Sequence, residues 1–480
     1  MPFRLKQFHA AMPRHAGLFG AALLALAGCA SPLPRLAPPL PAQWQHAIAA
    51  EKASPVDLHG WWRAFADPQL NQLVDQALVS NLDVAQAVER LLAVRALHEQ
   101  AHARYLPSLS INTHDVVEPS ASASYFLVGF DASWELGLFG RAEASRRLSQ
   151  GALDASIADL RSAQVSLIAE VVREWIDLRT AQQQQHLLLQ IRQLRQQQWQ
   201  WLQTRQQLQL ATPEAVDQAR AVLAQAEAAL AAPRQAINAS AQRLALLLGR
   251  NHPDPAWLKI GKAPELGAWR LDSTPADLLR SRPEIAHAEA EVLQAAGAQA
   301  MAHAELFPSI GIGGSIDWST DIDNDKKFSN TPNDIISLGP EISIPLFDWG
   351  IRLAAKHARD HQLRASVLAY RQAVLQGASE VETALGSLQQ QAQREHHGKV
   401  AWQALQHVDK AQQIRVRLHL SSPLDLADSR IATDQAALEL SDARASHCMA
   451  YVALFKALGG APLPADSAPS NPGRPAPVQH

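Results

Sequence analysis

Apolar residues alternate with small or polar residues in four short segments of the chain, at about 108–118, 121–135, 309–319 and 335–346. This period of two predicts β-strands with one apolar and one polar face. A soluble β-sandwich would show the same alternation, but the small and polar second face favours a barrel with a polar interior. Because bacterial outer-membrane barrels begin at eight strands, four strands require several copies of the chain if they cross a bilayer.

Two longer stretches, from 140 to about 210 and from 350 to about 420, contain no proline and predict long helices. In the first stretch, apolar residues from Val165 to Trp175 recur at spacings of three and four, as in a coiled-coil seam. Each stretch is followed by a hydroxyl residue and a proline, Thr212-Pro213 or Ser422-Pro423. Such a pair caps a new helix and occupies its first position, which predicts two helical hairpin tips, near 209–213 and 419–423.

The same elements occur twice along the chain. A shift of 210 positions aligns Thr212-Pro213 with Ser422-Pro423 and Gly249 with Gly459, and a shift of 201 aligns the entrances to the predicted strands. Because prolines, glycines and arginines match as well as alanines and leucines, the pattern indicates an internal duplication. We predict a first repeat at 67–250, a linker at 251–274, a second repeat at 275–460 and a disordered tail at 461–480.

The N-terminus has the order of a secretory signal. Basic residues precede an apolar stretch at 18–27, which leads into Leu26-Ala27-Gly28-Cys29. This run resembles the bacterial lipobox, which implies removal of residues 1–28, a covalent lipid on Cys29 and an extended lipid-anchored segment at 29–66. Ala30 and Ser31 follow instead of an aspartate that would resemble an inner-membrane retention signal, so outer-membrane sorting and the barrel are favoured. The alternative is an ordinary signal peptide followed by a chance cysteine.

Composition excludes several classes of function. With Cys29 lipidated, Cys448 is the sole free cysteine, so neither an intramolecular disulfide nor a CxxC site can form. A formal charge of −3 offers no basic surface for nucleic acid. No catalytic or phosphate-binding motif is present, and His396-His397 beside Glu395 is better interpreted as an exposed helix face than as a metal site. We therefore expect no enzymatic activity, no metal and no cofactor besides the lipid on Cys29.

Several motifs together resemble one known family. They are Trp61-Trp62 with Asp67-Pro68, Ser133-Trp134-Glu135-Leu136, Arg282-Pro283-Glu284-Ile285 and Pro345-Leu346-Phe347-Asp348. In this order they resemble the outer-membrane factor (TolC-like) family, in particular efflux lipoproteins of the NodT type. The resemblance implies an α+β membrane protein that assembles as a homotrimer, with a β-barrel of four strands per chain and a long antiparallel α-helical periplasmic barrel.

The resemblance also implies a function and partners. It implies the outer-membrane channel of a tripartite efflux system that exports small toxic compounds or drugs. Its partners would be a periplasmic adaptor and an inner-membrane pump of the resistance-nodulation-division or major-facilitator type. The exit duct of a type I protein-secretion system and, less favoured, a periplasmic coiled-coil scaffold lipoprotein are the alternatives. The sequence does not identify the substrate, the pump class or the trigger for opening.

Within that family, paired aspartates line the closed periplasmic aperture, and Asp425 and Asp428 match them. Carboxylates three residues apart on a helix can face the same way. Six of them around the axis of a trimer would repel one another, which would raise their pKa values and attract cations. Ser422-x-x-Asp425 is equally a capping box at a helix start, and the two roles can coexist.

The resemblance assigns adaptor contacts to the two tips. The residues are Leu210, Ala211 and Thr212 in the first tip, and Leu420, Ser421 and Ser422 in the second. The sequence also departs from the family, because the usual tip glycines fall on Gln209 and His419 and the usual Tyr/Arg gate lock falls on Val416 and Ser421. The gating contacts must therefore differ from those of the best-known relatives.

Overall fold

A computed structural model describes residues 33–36, 44–46, 54–116, 125–267, 269–270, 279–321 and 333–462. The predicted signal peptide, the predicted lipid attachment residue Cys29 and most of the predicted tail at 461–480 lie outside the described residues.

The elements of the first repeat follow the order helix, two strands, long helix and helical return. They are preceded by the two-residue strand β1 (Ser54–Pro55) and a 3₁₀ turn at Trp61–Phe65. The elements are α1 (Pro68–Ser80), α2 (Leu82–Ala103), β2 (Ser108–Val116), β3 (Tyr125–Glu135), α3 (Arg141–Gln207), α4 (Pro213–Ala228) and α5 (Ala231–Leu247). The return is broken between α4 and α5. Pro233 lies just after the break, and a proline inside a helix removes one hydrogen bond and collides with the preceding turn.

The second repeat has the same order, but its return is one unbroken helix. Its elements are the two-residue strand β4 (Trp269–Arg270), α6 (Pro283–Ala304), β5 (Ser309–Asp321), β6 (Asn333–Ser343), α7 (Ile351–Arg417) and α8 (Pro423–Ala457). Ala443 stands where the first repeat has Pro233, so nothing interrupts α8. No helix among the described residues combines the length and the apolar character needed to span a membrane.

Four strands form one antiparallel sheet in the order β2-β3-β5-β6, which takes two strands from each repeat. Its register aligns side chains in rows that run across all four strands. One row is apolar and consists of Ile111, Phe130, Ile316 and Ile336, whereas the next row is polar and consists of Ser110, Asp131, Ser315 and Ser337. The alternation in the sequence is therefore an alternation between the two faces of this sheet.

The chain divides into two compact units that do not coincide with the repeats. The first unit contains the sheet and takes 91–156 and 287–371 from the described helices and strands, while the second contains 54–90, 157–286 and 372–462 from them. Each unit draws on both repeats, so the repeats are interleaved in space rather than folded as separate domains.

In the first unit, α3 and α6 pack closely through two glycines. A Cβ atom on Gly151 would lie 2.6 Å from the Gln294 nitrogen, and one on Gly297 would lie 2.6 Å from the Leu148 nitrogen. The backbones approach each other at both places more closely than any side chain allows.

The core of the second unit joins the two ends of the described chain. Trp61 stacks on Phe455 with ring centroids 5.5 Å apart, and the Tyr451 hydroxyl donates a hydrogen bond to the Trp61 carbonyl at 3.1 Å. The Trp61 indole donates to the Gly460 carbonyl at 3.1 Å. Burial raises the pKa of Tyr451, which therefore remains protonated and keeps this bond.

Candidate functional site

Both predicted hairpin tips are turns of the same geometry, in residues 208–213 (the first tip) and 418–423 (the second tip). At the first tip, Gln209 N donates to the Gln206 carbonyl at 2.9 Å and Leu210 N donates to the Arg205 carbonyl at 2.7 Å. The second tip repeats both bonds 210 residues later. These paired bonds are a Schellman motif, which ends a helix with one residue in the left-handed conformation.

The left-handed positions of the tips carry ordinary side chains. Gln209 has a φ of 58° and His419 a φ of 59°, where glycine is the favoured residue. The helix ends at Gly249 and Gly459, which make the same pair of bonds, do carry glycine, with φ of 66° and 71°. The tips are therefore the two strained members of a set of four equivalent turns.

The hydroxyl residues of the tips start the returning helices, as the sequence pattern indicates. Thr212 Oγ1 accepts a hydrogen bond from Ala215 N at 3.3 Å, and Ser422 Oγ accepts one from Asp425 N at 3.2 Å. In the second tip alone, the carboxylate of Asp425 also accepts from Ser422 N at 2.9 Å, which completes a capping box.

Each tip exposes a pair of leucines to solvent. The exposed fractions of Leu208, Leu210, Leu418 and Leu420 lie between 61% and 67%. Leu210 and Leu420 are among the predicted adaptor contacts, whereas the sequence interpretation passed over Leu208 and Leu418. The alignment of Leu208 with Leu418 at the shift of 210 was the sequence signal that could have identified them as part of the tips. The remaining predicted contacts, Ala211, Thr212, Ser421 and Ser422, lie in the same two turns.

The carboxylate of Asp425 is engaged within its own tip. Besides Ser422 N, Oδ2 accepts hydrogen bonds from Ser421 Oγ and Ser422 Oγ, each at 2.8 Å. The backbone N–H of Ser422, and then the two hydroxyl groups, lower the pKa of Asp425. Within one chain the shift is thus opposite in direction to the one expected from mutual repulsion in a trimer.

Asp428 has different partners and joins two helices. Its Oδ1 accepts a hydrogen bond from Gln198 Nε2 at 2.8 Å and lies 3.6 Å from Arg195 Nη1, both on α3. Arg195 Nη1 also donates to Gln198 Oε1 at 2.9 Å, so the three side chains form a closed network. We call Arg195, Gln198 and Asp428 the α3–α8 tie.

The tie has no counterpart at the equivalent positions of α7 and α4. At the shift of 210, Gln218 takes the place of Asp428, while Leu405 and Val408 correspond to Arg195 and Gln198. The second repeat therefore lacks the side chains to build a counterpart on α7. Sequence analysis missed Arg195 and Gln198, since one arginine and one glutamine in a stretch rich in both give no signal.

Side chains suited to metal binding do not converge in the part of the chain that the structure describes, where no group of three or more His, Cys, Asp and Glu is arranged for an ion. Glu395, which adjoins His396-His397 in sequence, instead accepts a hydrogen bond from His447 at 2.8 Å and forms an ion pair with Arg444 at 3.4 Å. The carboxylate thus ties α7 to α8.

Comparison with known proteins matches this architecture along both repeats. A sequence model of the family described as outer membrane efflux protein matches residues 73–250 and 274–460. Nodulation protein T of Rhizobium leguminosarum bv. trifolii is 30% identical over 441 residues, covering 88% of this chain and 91% of that protein. The pyoverdine export outer membrane protein OpmQ of Pseudomonas aeruginosa is 27% identical over 461 residues, with 88% and 91% covered.

Among solved structures, the outer-membrane channel OprN has a TM-score of 0.78 to this chain at 26% identity, covering 89% of this chain and 98% of that chain. The fold of the chain is therefore similar to that of a solved outer-membrane channel. The chain belongs to the outer membrane efflux protein family, with the TolC-like fold of an outer-membrane channel that extends into the periplasm and serves transport, not catalysis.

Proposed function

We propose that three copies of this chain form the lipid-anchored outer-membrane duct of a tripartite efflux system. The duct exports small toxic compounds or drugs that a periplasmic adaptor and an inner-membrane pump of the resistance-nodulation-division or major-facilitator type deliver to it. The homologous OpmQ is named as an export outer-membrane protein, which supports export as the role of this chain. We also propose that residues 67–250 and 275–460 are the duplicated structural halves.

The four-stranded sheet is the observation that supports assembly of three copies of the chain. Its apolar row suits lipid and its polar row suits a water-filled interior. Strands of 9 to 13 residues have the length that a tilted membrane strand needs. A sheet of four strands cannot close on itself, but three copies around one axis would supply a twelve-stranded barrel.

The tips are the surface that we assign to the adaptor. Four exposed leucines at the ends of two hairpins are apolar area that a partner can cover. Burial of one such side chain stabilises a complex by about 1.5–3 kcal/mol. Hydroxyl groups of Thr212, Ser421 and Ser422 beside them can supply the polar contacts of the rim.

The aperture is assigned to the same end of the helices. In a trimer, Asp425 and Asp428 would contribute six carboxylates, and the α3–α8 tie would hold Asp428 and its helix against α3. Release of the tie would let the second hairpin move away from the axis. Because Asp425 is occupied as a helix cap, Asp428 is the stronger candidate for a mobile gate contact.

Anchoring and export are tested separately. Radioactive palmitate should label the wild-type protein and fail to label Cys29→Ser, and equal labelling would contradict the anchor. A strain that lacks the gene should accumulate fluorescent dyes and toxic aromatic compounds, and wild-type protein from a plasmid should reverse the accumulation. Unchanged accumulation together with loss of a secreted protein would replace efflux by type I secretion.

A further inference from the structure

A cleft of about 240 Å³ lies beside the linker that joins the two repeats. Linker residues 262–265 cover it on one side, and side chains of α3, α7 and α8 form its other walls. We call it the linker cleft. It contains none of the residues assigned above to the aperture or to the adaptor surface.

The linker beside this cleft is fastened to two helices. From α3, Arg179 Nη1 donates a hydrogen bond to the Lys259 carbonyl at 2.7 Å. From α8, Cys448 Sγ donates to the Pro264 carbonyl at 3.8 Å. Because the linker is held at both sides, the linker cleft is formed before any ligand arrives, and binding does not have to order a loop.

The inner part of the linker cleft is apolar. Its walls include the buried side chains of Ile176 and Leu440 and the indole of Trp402. A flat aromatic ring packs well against an indole and aliphatic groups. Since an apolar cavity of about 150 Å³ can already hold benzene, the linker cleft has room for one ring with a small substituent.

The polar part of the linker cleft contains a guanidinium with unused donors. Arg444 Nη1 lies 3.8 Å from Glu265 Oε1, and Arg444 Nε lies 3.4 Å from Glu395 Oε1. Neither contact has the geometry of a hydrogen bond, and the buried Nε finds no acceptor among the described residues. Arg444 can therefore donate to an acceptor atom that a ligand supplies.

The charges around this guanidinium balance one another. Lys262 Nζ lies 3.3 Å from Glu265 Oε2, so Lys262 and Arg444 offset the carboxylates of Glu265 and Glu395. An anion would lose its hydration in the linker cleft without meeting a net positive charge, and a cation would meet no net negative charge. The balance favours an uncharged ligand.

We propose that the linker cleft binds an uncharged one-ring aromatic compound that carries one acceptor oxygen. The ring packs against Trp402, and the oxygen accepts a hydrogen bond from Arg444. The bound compound fills the space between the linker and the helices and so stabilises their attachment. This binding goes beyond export, because it requires neither three copies of the chain nor a pump.

Three compounds of nearly the same shape separate the parts of this proposal. Acetophenone has the ring and a neutral carbonyl oxygen, ethylbenzene lacks the oxygen, and benzoate carries a negative charge. Acetophenone should bind about tenfold more tightly than ethylbenzene, because only acetophenone accepts a hydrogen bond from a charged donor. Benzoate should also bind more weakly than acetophenone.

The measurement uses full-length protein in detergent, dialysed against a common reservoir so that the free concentration of each compound is fixed. The chain has twelve tryptophans, and the difference between wild type and Trp402→Phe isolates the fluorescence of Trp402. Acetophenone should quench this fluorescence saturably. It should also raise the melting temperature over the same range of concentration, because a ligand that binds the folded state stabilises it.

Two variants test the site itself. Ala437→Phe places a ring inside the linker cleft and should abolish saturable binding, whereas Ala401→Phe adds the same ring at an exposed position next to Trp402 and should bind as wild type. Arg444→Gln should reduce the affinity for acetophenone to about that for ethylbenzene. Unchanged binding of ethylbenzene to Arg444→Gln then shows that the linker cleft has kept its shape.

Saturable binding in the order expected, with loss in Ala437→Phe, supports the proposal. Uptake that rises without saturation and equally in wild type and Ala437→Phe would overturn it, because the compounds then dissolve only in the detergent. Saturable binding that survives Ala437→Phe would place the ligand elsewhere and would also overturn the site. Tighter binding of benzoate than of acetophenone would overturn the uncharged class of ligand.

Discussion

Loss of the Asp428 carboxylate should open the periplasmic end of the duct. In the structure this carboxylate is the acceptor of the α3–α8 tie, 2.8 Å from Gln198 Nε2 and 3.6 Å from Arg195 Nη1. Asp428→Ala removes the acceptor and leaves both donors on α3 without it. We expect the returning helix of the second hairpin to separate from α3 more often.

The size of the effect on opening follows from the solvent exposure of the Asp428 side chain. The Asp428 side chain is 65% exposed, so its ion pair with Arg195 is screened by water and contributes about 0.2–1 kcal/mol. The hydrogen bond from Gln198 adds about 1 kcal/mol. A loss of about 1.4 kcal/mol per chain would raise the ratio of open to closed states about tenfold, and a trimer whose three ties open together would gain about a thousandfold.

Conductance of purified protein in planar bilayers measures this ratio. Asp428→Ala should raise the time spent in high-conductance states, and the difference from wild type should shrink in high salt, which already weakens the ion pair. Asp428→Asn should have a smaller effect, because its amide oxygen still accepts from Gln198. Asp425→Ala separates the tie from the aperture charge, since it also removes three of the six proposed carboxylates but leaves the tie in place.

A double-mutant cycle tests the cause. If the tie holds the aperture, Arg195→Ala with Asp428→Ala should conduct little more than Asp428→Ala alone. Additive effects of the two substitutions would show that they act independently. Wild-type conductance in Asp428→Ala would refute the reasoning altogether.

Three further predictions concern the tips and the cap network. Thr212→Arg places a bulky charge on the proposed adaptor surface and should abolish dye efflux while trimers and membrane insertion persist, whereas Thr212→Ser, which keeps the cap, should export normally. His419→Gly relieves a left-handed residue and should raise the melting temperature, corresponding to at most about 1 kcal/mol after the entropic cost of glycine, while Gly459→Ala in the equivalent turn should lower it. Glu395 has its pKa lowered chiefly by the hydrogen bond from His447, so its stabilising effect is present above pH 4.5 and is lost as the pH falls through the lower folded pKa. Glu395→Gln should flatten the decline of melting temperature in that acidic range.

Each of these three predictions would be contradicted by a specific result. Normal dye efflux by Thr212→Arg would remove the first tip from the adaptor surface. A lower melting temperature for His419→Gly would mean that the imidazole of His419 makes contacts in the assembly that stabilise it by more than the left-handed backbone costs. An unchanged acid profile for Glu395→Gln would place the pH dependence in other carboxylates.

The features of the fold that could be predicted from the sequence are those that depend on neighbouring residues, such as helix caps and strand alternation. Thr212-Pro213 and Ser422-Pro423 each cap and begin a helix as the pattern indicates, because capping needs only residues within one turn. The strands also follow the alternation, although β6 ends at Ser343 where 346 was expected. Pro345 accounts for that difference, since it has no N–H to extend the ladder.

Contacts between distant segments could not be predicted. Gln198 and Asp428 are 230 residues apart, and no periodicity of either helix encodes which polar residue will face the other. The break before Pro233 is a different case, because proline is a local signal that the expectation of a single returning helix overlooked. Family resemblance proposes Asp425 and Asp428 as aperture residues, whereas the local pattern Ser422-x-x-Asp425 predicts the cap that Asp425 forms.

The cluster around Trp61 has a consequence for biogenesis. Trp61 and Tyr451 are separated by 390 residues, so this aromatic segment near the start of the chain finds its partner only after nearly the whole chain has been secreted. Contacts of such high sequence separation form slowly and leave apolar surface unprotected in the meantime. We therefore expect the nascent protein to bind a holding chaperone in the periplasm, and we expect a chain truncated before α8 to keep Trp61 uncovered and to be degraded by quality-control proteases.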